Sequence, residues 1–488
     1  VAYERLLAGL RDVTNLLSGL PVPDNDCWLV GGAVRDAWLG LPIHDIDLVA
    51  PAPLDGLRQQ LEQYCGSRAF TVNQRFASTR INAGTFEIDI TALSGGSIES
   101  DLRRRDYCIN AMAVPLRCVL SGNIELRDVI CDPNALDDLA SGSLRLVSTA
   151  ALIDDPLRIL RGFRLAAQLG MEPDHACREA WQLYASALGE VSGERQRDEL
   201  LRWFGLPVLD TDLLQLCADC GVLWQLFSEL QNSVDCTQND YHHLDVWQHT
   251  LLALRELDAL IFSLPPELAE YLAEIDTALG NRLEGGGSVL ALTRLALLLH
   301  DVGKPATRRV ETDGHISFIG HQQTGVELVE ADFERLRFSG AERDFLQLMI
   351  REHLRLGFYS VHEPLPPKLV YRYIRSLGET TLPQLLHSLA DCRAAGGQGS
   401  AESLRLHLAA AQQVADNYIN GSSVARPPEL LDGHDIMELL GIPAGPLIGR
   451  LKRAMLEATA EGVISTADEA REFVVRLLDH LPPEDPED

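Results

Sequence analysis

Two aspartates one residue apart, Asp45 and Asp47 in "HDIDLVA", stand in an apolar run just after "LVGGAVRDAWLG". Side chains alternate across a strand, so the pair points to one face. Like charges held that close raise each other's pKa and cost stability. A divalent cation removes the conflict. Carboxylate oxygens on one strand suit Mg2+, with substrate phosphates and water completing its shell. Gly31 and Gly32 end an apolar strand and open a helix. Without Cβ atoms they let backbone N–H groups approach a phosphate at the helix N-terminus. In "TFEIDIT", Glu87 and Asp89 share a face of another strand, and Asp89 is the third carboxylate chosen. The set suits in-line attack on a nucleotide α-phosphate, with Asp45 and Asp47 holding metals and Asp89 helping to deprotonate the attacking hydroxyl. The competing reading is a solvated loop at a strand end. The glycine turn before the pair and the acidic strand after it argue against that.

A second concentration of chemistry runs through "HHLDVWQHTLL", "LALLLHDVGKPATR", "FIGHQQTG", "REHLRLG" and "LLHSLADCRAA". His300 and Asp301 end an apolar helix, and His249 and Asp391 lie far off on others. Imidazole and carboxylate ligands gathered from several helices build a transition-metal or Mg2+ site. The later "GHDI" at His434 and Asp435 reads as a turn and helix start, outside any metal site. Cys217 and Cys220 form a CxxC in helical sequence, and no second pair completes a tetrahedral zinc site, so core packing is the reading there.

These residues need elements to carry them. Residues 1–20 read as an amphipathic helix. From about 27 to 120, β-type runs ("CWLV", "DIDLVA", "FTVN", "TRINA", "TFEIDIT", "NAMAVPL") alternate with helices. After about residue 135 the strand signals fade and helical periodicity takes over, with stops at Gly170 and Gly205. "NRLEGGGSVL" reads as a loop, "RAAGGQGSAE" and "YINGSSVARPPE" as linkers, and the tail "LPPEDPED" as disordered. The fold class is α+β. A small mixed-sheet head spans 22–135, and all-α regions follow at 136–232, 233–405 and 406–488.

The length of 488 residues implies two to four domains. No apolar run spans a bilayer and no signal-peptide pattern is present, so no membrane partner is expected. Ten scattered cysteines suit reduced thiols and a cytoplasmic location. A net charge of −29 argues against a general nucleic-acid binder. Arginine is nevertheless dense in "DLRRRD", "LRILRGFR", "GERQRDELLRW" and "IGRLKR", while lysine occurs only at Lys304, Lys368 and Lys452. A few arginines on one surface can bind RNA while the rest stays acidic.

Over residues 27–205, and more loosely beyond, the chain resembles the class II tRNA nucleotidyltransferases (CCA-adding enzymes) and their bacterial poly(A) polymerase relatives. "LVGGAVRDAWLGLPIHDIDLVA" is similar to the family's nucleotidyltransferase signature, "DLRRRDYCINAMA" to its second motif, "DDPLRILRGFR" to its nucleobase-selecting motif and "VSGERQRDEL" to its neck motif. The resemblance puts Asp45 and Asp47 on the metal-binding aspartates. It ties Arg105, Asp106 and Asn110 to triphosphate and ribose handling, and Asp155 and Arg158 to reading the incoming base. Arg35, Arg161 and Arg164, within the same stretches, join the nucleotide-binding set with Gly31 and Gly32. An Asp accepts from the exocyclic amine of C or A while an Arg donates to the neighbouring ring acceptor, an order that U and G lack. One such pair accepts CTP and ATP without a template. Placed i and i+3 on a helix, the two are neighbours; the competing reading is a plain intrahelical ion pair beside a proline.

The histidine segments resemble the HD phosphohydrolase superfamily. That likeness makes His249, His300, Asp301 and Asp391 the primary ligands of Mg2+ or a divalent transition metal. His321 and His353 match the extra histidines that hold a second metal or a phosphate. The expected activity is template-independent addition of CC, or of a complete CCA, to the tRNA 3′ end from CTP with or without ATP and with Mg2+, alongside a metal-dependent phosphohydrolase. The helices beyond the head would grip the acceptor stem by its phosphates. Poly(A) polymerase activity, or a phosphohydrolase with an inactive RNA-binding head, are the alternatives. Two departures from the family matter. Asp154-Asp155 stands where Glu-Asp is usual, with Asp155 retained. "TALSGGSIESDL" is short where full CCA-adding relatives carry a longer flexible loop, which the resemblance ties to the switch from C to A. Products ending in CC are the expectation.

Overall fold

A computed structural model describes residues 2–20, 26–43, 45–73, 78–84, 86–239, 243–396 and 400–478. The tail "LPPEDPED" and part of the "RAAGGQGSAE" linker lie outside the described residues. The chain forms two compact units, Val1–Glu199 with Leu216–Gln225, and Leu200–Gln215 with Leu226–Asp488.

The first unit is built on a mixed seven-stranded sheet of order β3-β4-β5-β2-β1-β6-β7. Its strands are β1 (Trp28–Val30), β2 (Asp45–Ala50), β3 (Phe70–Asn73), β4 (Ser78–Asn82), β5 (Glu87–Ala92), β6 (Met112–Pro115) and β7 (Ile130–Cys131). β2 and β5 run parallel, while β1 pairs antiparallel with both β2 and β6. Period-two alternation fixes β2: Ile46 and Leu48 are buried, Asp45 is exposed and Asp47 half-buried. A one-residue slip would bury both carboxylates. Helix α1 (Ala2–Leu16) packs on α2 (Gly32–Leu39), burying Leu6, Leu10 and Val13. α3 (Ile98–Leu102) joins Val30, Val49, Ala111 and Ala113 in a core cluster through Ile98 and Leu102. Further along come α4 (Ala150–Asp154), α5 (Arg158–Leu169) and α6 (His175–Tyr184).

The second unit is helical apart from a short hairpin, Arg309–Val310 with Ile316–Ser317, in a stretch read as helical. A second two-residue pair, Ser143–Leu144 with Glu172–Pro173, lies in the first unit beyond the head. Two residues per strand are too few to leave a period-two signal. Helix α7 (Val246–Phe262) packs against α8 (Val289–Leu299) and α12 (Thr381–Ala395). α9 (His321–Arg335) and α10 (Gly340–Glu352) pack together, α11 (Pro367–Leu377) lies against α12, and α13 (Ser400–Ile419) follows. Arg294 is fully buried, yet its guanidinium pairs with Asp258 at 2.7 Å and donates to the carbonyls of Phe204, Leu206 and Pro207. A buried guanidinium survives only with its donors satisfied in this way. The last helices, α14 (Gly433–Leu440), α15 (Pro446–Ala460) and α16 (Ala467–Leu478), form their own apolar cluster around Ile436, Leu451, Met455 and Val474. Among the described residues no helix is long and apolar enough to cross a membrane.

Candidate functional site

Parallel pairing of β2 with β5 sets Asp45 beside Glu87 and Asp47 beside Asp89. Val30 lies opposite Asp47 across β1–β2, so the turn at Gly31 passes over the Asp47 carboxylate. A Cβ at Gly31 would lie 3.3 Å from Asp47 Oδ2 and 3.0 Å from an Arg105 guanidinium nitrogen, and its φ is +73°. The positive φ calls for glycine, and a side chain here would also crowd Asp47 and Arg105. Gly32 then starts α2, whose first amides have no intrahelical acceptor. Burial pushes the Asp47 carboxyl above its ordinary range; Arg105 opposes this, and Asp89 adds to it. A carboxylate raised by burial, with acidic neighbours and oxygen donors at hand, fits a hard cation such as Mg2+.

Asp89 has a different setting. Arg80, its cross-strand partner on β4, holds both its oxygens in a fork, Nε–Oδ1 and NH2–Oδ2 each at 2.8 Å, and also pairs with Glu87. Asp45, Asp47 and Asp89 are not gathered closely enough to share one ion; among the described residues, groups that close occur only in the second unit. Arg80 was missed from the sequence, although "TRIN" places it on a strand edge facing an acidic strand. Arg105 is itself held by Asp101 at 3.2 Å, another residue not foreseen.

Four of the expected nucleotide-handling residues form one network. Arg35 donates to Asn110 Oδ1 at 2.6 Å, Asn110 Nδ2 donates to Asp106 Oδ1 at 3.1 Å, and Arg161 Nε pairs with Asp106 Oδ2 at 3.1 Å. Asp106 also accepts from the Tyr107 amide at 2.8 Å. Burial opposes the charge on Asp106, but Arg161 and Arg158 prevail and hold its carboxyl below the usual range. Tyr107 Oη donates to the Arg158 carbonyl at 2.7 Å. At Gly162 a Cβ would lie 2.0 Å from that hydroxyl, so only glycine lets α5 ride this close. Asp106→Asn turns one acceptor into a donor facing Arg161, and a charge-assisted bond of this kind is worth about 2 kcal/mol. Because the folded-state pKa is depressed, that stability is present above the ordinary carboxylate pKa of about 4 and is lost as pH falls through the folded value. Urea midpoints of wild type and Asp106→Asn should differ at pH 7 and converge only as the pH falls below the depressed folded-state pKa of Asp106.

The base-reading pair requires a correction. Asp155 and Arg158 are not successive turns of one helix. Asp155 follows α4 in extended conformation, with φ −153° and ψ 98°, and α5 starts at Arg158. Pro156 is the reason, since the residue before proline avoids the helical region. Nor do the two form an intrahelical ion pair. Asp155 pairs with Arg195 at 2.7 Å, and Arg158 donates to the carbonyls of Arg104 at 2.9 Å and Ala151 at 3.2 Å. Arg195 sits in the neck motif but had not been singled out. Arg164 is engaged by Glu199 at 2.7 Å and Gln168 at 2.8 Å.

In the second unit the six expected ligands come together. His300, His321 and His353 each place Nδ1 on the carbonyl three residues upstream, Leu297 at 2.7 Å, Phe318 at 2.8 Å and Ile350 at 2.7 Å. A carbonyl only accepts, so each Nδ1 carries the proton and each Nε2 is the nitrogen turned toward the centre, where a metal would displace any proton on it. Those Nε2 atoms converge on Asp301, at 3.2 Å from His300, 3.3 Å from His321 and 3.7 Å from His353. His249 Nε2 lies 2.9 Å from Asp391 Oδ1 and 3.8 Å from Asp301 Oδ2. Two groups result, His249–His300–Asp301 and Asp301–His321–His353, with Asp301 common to both.

Burial opposes charge on Asp301 and Asp391, but His300 and Lys304 around the first and His249 and His300 around the second hold both well below the carboxylate range. His300 rises to about 10, burial opposing and Asp301 prevailing, while burial, His321 and His300 drive His353 down to about 3. Lys304 reaches Asp301 at 2.6 Å and Gln238 at 2.7 Å. Its signal in the sequence is its place three residues after Asp301 in "HDVGK". A cavity of about 810 Å³ opens onto Asp301, Lys304, His321, His353 and Asp391, with Phe318 and Phe358 in its wall. Imidazole-rich donors with two carboxylates fit a first-row transition ion. At "GHDI", Asp432 caps α14 and Asp435 completes the capping box. Cys217 and Cys220 are buried free thiols, both raised by burial.

Residues 27–145 match the poly A polymerase head domain and residues 267–418 the HD domain. An A-adding tRNA nucleotidyltransferase of Deinococcus radiodurans is 34% identical over 93% of this chain and 96% of its own length. A CC-adding tRNA nucleotidyltransferase of Thermus thermophilus is 32% identical over 92% and 93%. Among solved structures, the Thermotoga maritima CCA-adding enzyme complexed with tRNA has the same fold, with a TM-score of 0.57 at 18% identity over 97% of this chain and 94% of that one. A CCA-adding enzyme in complex with CTP gives a TM-score of 0.59 at 18% identity over 99% and 94%. With curated relatives matched along nearly its whole length, and with the carboxylate head and histidine centre assembled as described, the chain belongs to the tRNA nucleotidyltransferase family.

Proposed function

We propose that this protein adds cytidines to the 3′ end of tRNA, using CTP without a template, and stops at CC. The observation that supports the reaction is the Asp45–Asp47 pair beneath the Gly31 turn, next to Arg105. Mg2+ held by Asp45 and Asp47 supplies charge neutralisation at the α-phosphate. The Gly31–Gly32 turn and the start of α2 receive the phosphates, helped by Arg105. Arg35, Asn110, Asp106 and Arg161 orient the triphosphate and ribose as one linked unit. Asp89 takes the proton of the attacking hydroxyl after Arg80 frees one of its oxygens. Asp155 and Arg158 turn from their present partners to the base, with Arg164 supporting α5 from Glu199. The acceptor stem is gripped by its phosphates.

The stop at CC is inferred from one turn. Only residues 93–97 join β5 to α3, and the turn is tied down by Ser94 N–H on Asp101 at 3.1 Å, Arg104 on Ser94 Oγ at 3.0 Å and the Ser97 cap. That leaves no slack for rearranging the site around ATP. A second reading, addition of the terminal A, is favoured by the Deinococcus radiodurans relative's A-adding name. Incubating tRNA lacking its last three nucleotides with CTP and ATP together decides between them. Products should accumulate ending in CC; clean CCA ends, A addition to tRNA ending in CC, or long A tails would reject the CC reading.

We assign the head to 22–135, the neck to 136–232, the HD region to 233–405 and the C-terminal helices to 406–488. The HD centre takes a divalent transition metal through His249, His300, Asp301 and Asp391, with His321 and His353 on a second ion or a phosphate, and hydrolyses a phosphate ester. Ten unpaired cysteines support a reducing, cytoplasmic setting.

A further inference from the structure

Helix α12 brings more than Asp391 to the histidine centre. Gln384, His387 and Asp391 recur at helical spacing and so share a face. His387 is fully buried, and neither of its ring nitrogens has a hydrogen-bond partner. Gln384, one turn earlier and equally buried, has neither side-chain atom paired. An imidazole carries one donor and one acceptor, and native interiors rarely leave both unmet. His300, His321 and His353 each have a carbonyl to orient them; His387 has none.

The surroundings of His387 point to what would satisfy it. Its ring centroid lies 5.6 Å from that of His300, the same separation as between His249 and His300, which belong to one ligand group. It lies 6.2 Å from His353, so its ring neighbours a histidine of each ligand group while its nitrogens sit outside the two close groups themselves. A core histidine kept only for packing would gain from replacement by an apolar ring.

We propose that His387 is a further ligand of the HD metal centre, a second donor from α12 one turn before Asp391. This rests on the reading of that centre as a metal site. One ring nitrogen is met by the ion and the other is left to a water beside Gln384. No part of the nucleotide-addition machinery involves His387.

The test is Co2+ titration of the metal-stripped full-length protein, read by the visible Co2+ band and by the Co2+-induced rise in Tm. His387→Phe keeps an apolar ring of similar size, and His387→Gln keeps a polar group in case Phe disturbs packing. Both should weaken Co2+ binding by about 10–100-fold or more and shift the band, because even residues behind the ligands cost that much. Metal-free His387→Phe should melt at or above the wild-type temperature. Unchanged affinity and band in both variants would overturn the proposal while leaving the centre intact. Failure of the wild type to take up Co2+ would overturn the centre and this proposal together.

Discussion

Replacing Asp47 by Ala is expected to lower kcat/KM for CTP addition to tRNA by about 10³-fold or more, with metal uptake by the histidine centre unchanged. The magnitude follows from what the residue holds. Lewis-acid stabilisation at a phosphoryl centre is worth several kcal/mol, and each factor of ten in rate is about 1.4 kcal/mol. Asp47 also lies against the Gly31 turn and interacts with the Arg105 charge, so its loss leaves Arg105 beside the turn with Asp101 and one fewer anion to balance it. Folding should tolerate the change, because burial already pushes this carboxyl above its ordinary range and its charge opposes folding. Single-turnover rates at saturating CTP are the measurement. A residual rate above a tenth of wild type, in a variant with wild-type Tm, would show that the carboxylate pair is not the site of chemistry.

Asp301→Asn should have the second largest effect, and on the histidine centre. Asp301 belongs to both ligand groups and pairs with Lys304 at 2.6 Å. The amide carries no charge to neutralise a cation, so both ligand groups lose the carboxylate they share. Lys304 then stays buried without its carboxylate, a situation that costs about 3–5 kcal/mol unless the side chain moves or loses its proton. The expected result is loss of bound metal by elemental analysis and of hydrolysis of bis(4-nitrophenyl) phosphate, by about 10²-fold or more. CC addition should stay within about twofold, since no head residue changes. Retained metal at wild-type stoichiometry would place the ion elsewhere.

The sequence made some of this legible and hid the rest for identifiable reasons. Strand β2 was readable because its first four residues alternate and its register carries both carboxylates. The Gly31 turn was readable because a positive φ and a close approach favour glycine. The six residues expected as ligands of the histidine centre came from the likeness to a known family, and the packing of α7, α8 and α12, together with that of α8 with α10 and α9 with α10, brings them together. Arg80, Asp101 and Arg195 were hidden because a single arginine or aspartate looks the same whether solvated or locking a neighbour. Only strand register, helix spacing or a distant helix reveals the partner. The break at Asp155 is legible in Pro156, which drives the residue before it out of the helical region. His387 carries no sequence signal beyond its distance of four residues from Asp391, and a buried histidine is usually a paired one.

The central claim is that Asp45 and Asp47 tolerate each other because a divalent cation and a nucleotide sit between them. Mn2+ binding followed by electron paramagnetic resonance, in an Asp301→Asn background and without tRNA, tests it most directly. Adding CTP should recruit Mn2+ to the otherwise unaltered head and leave the Asp45→Asn, Asp47→Asn head unchanged. CTP-dependent Mn2+ binding that survives both substitutions would contradict the account.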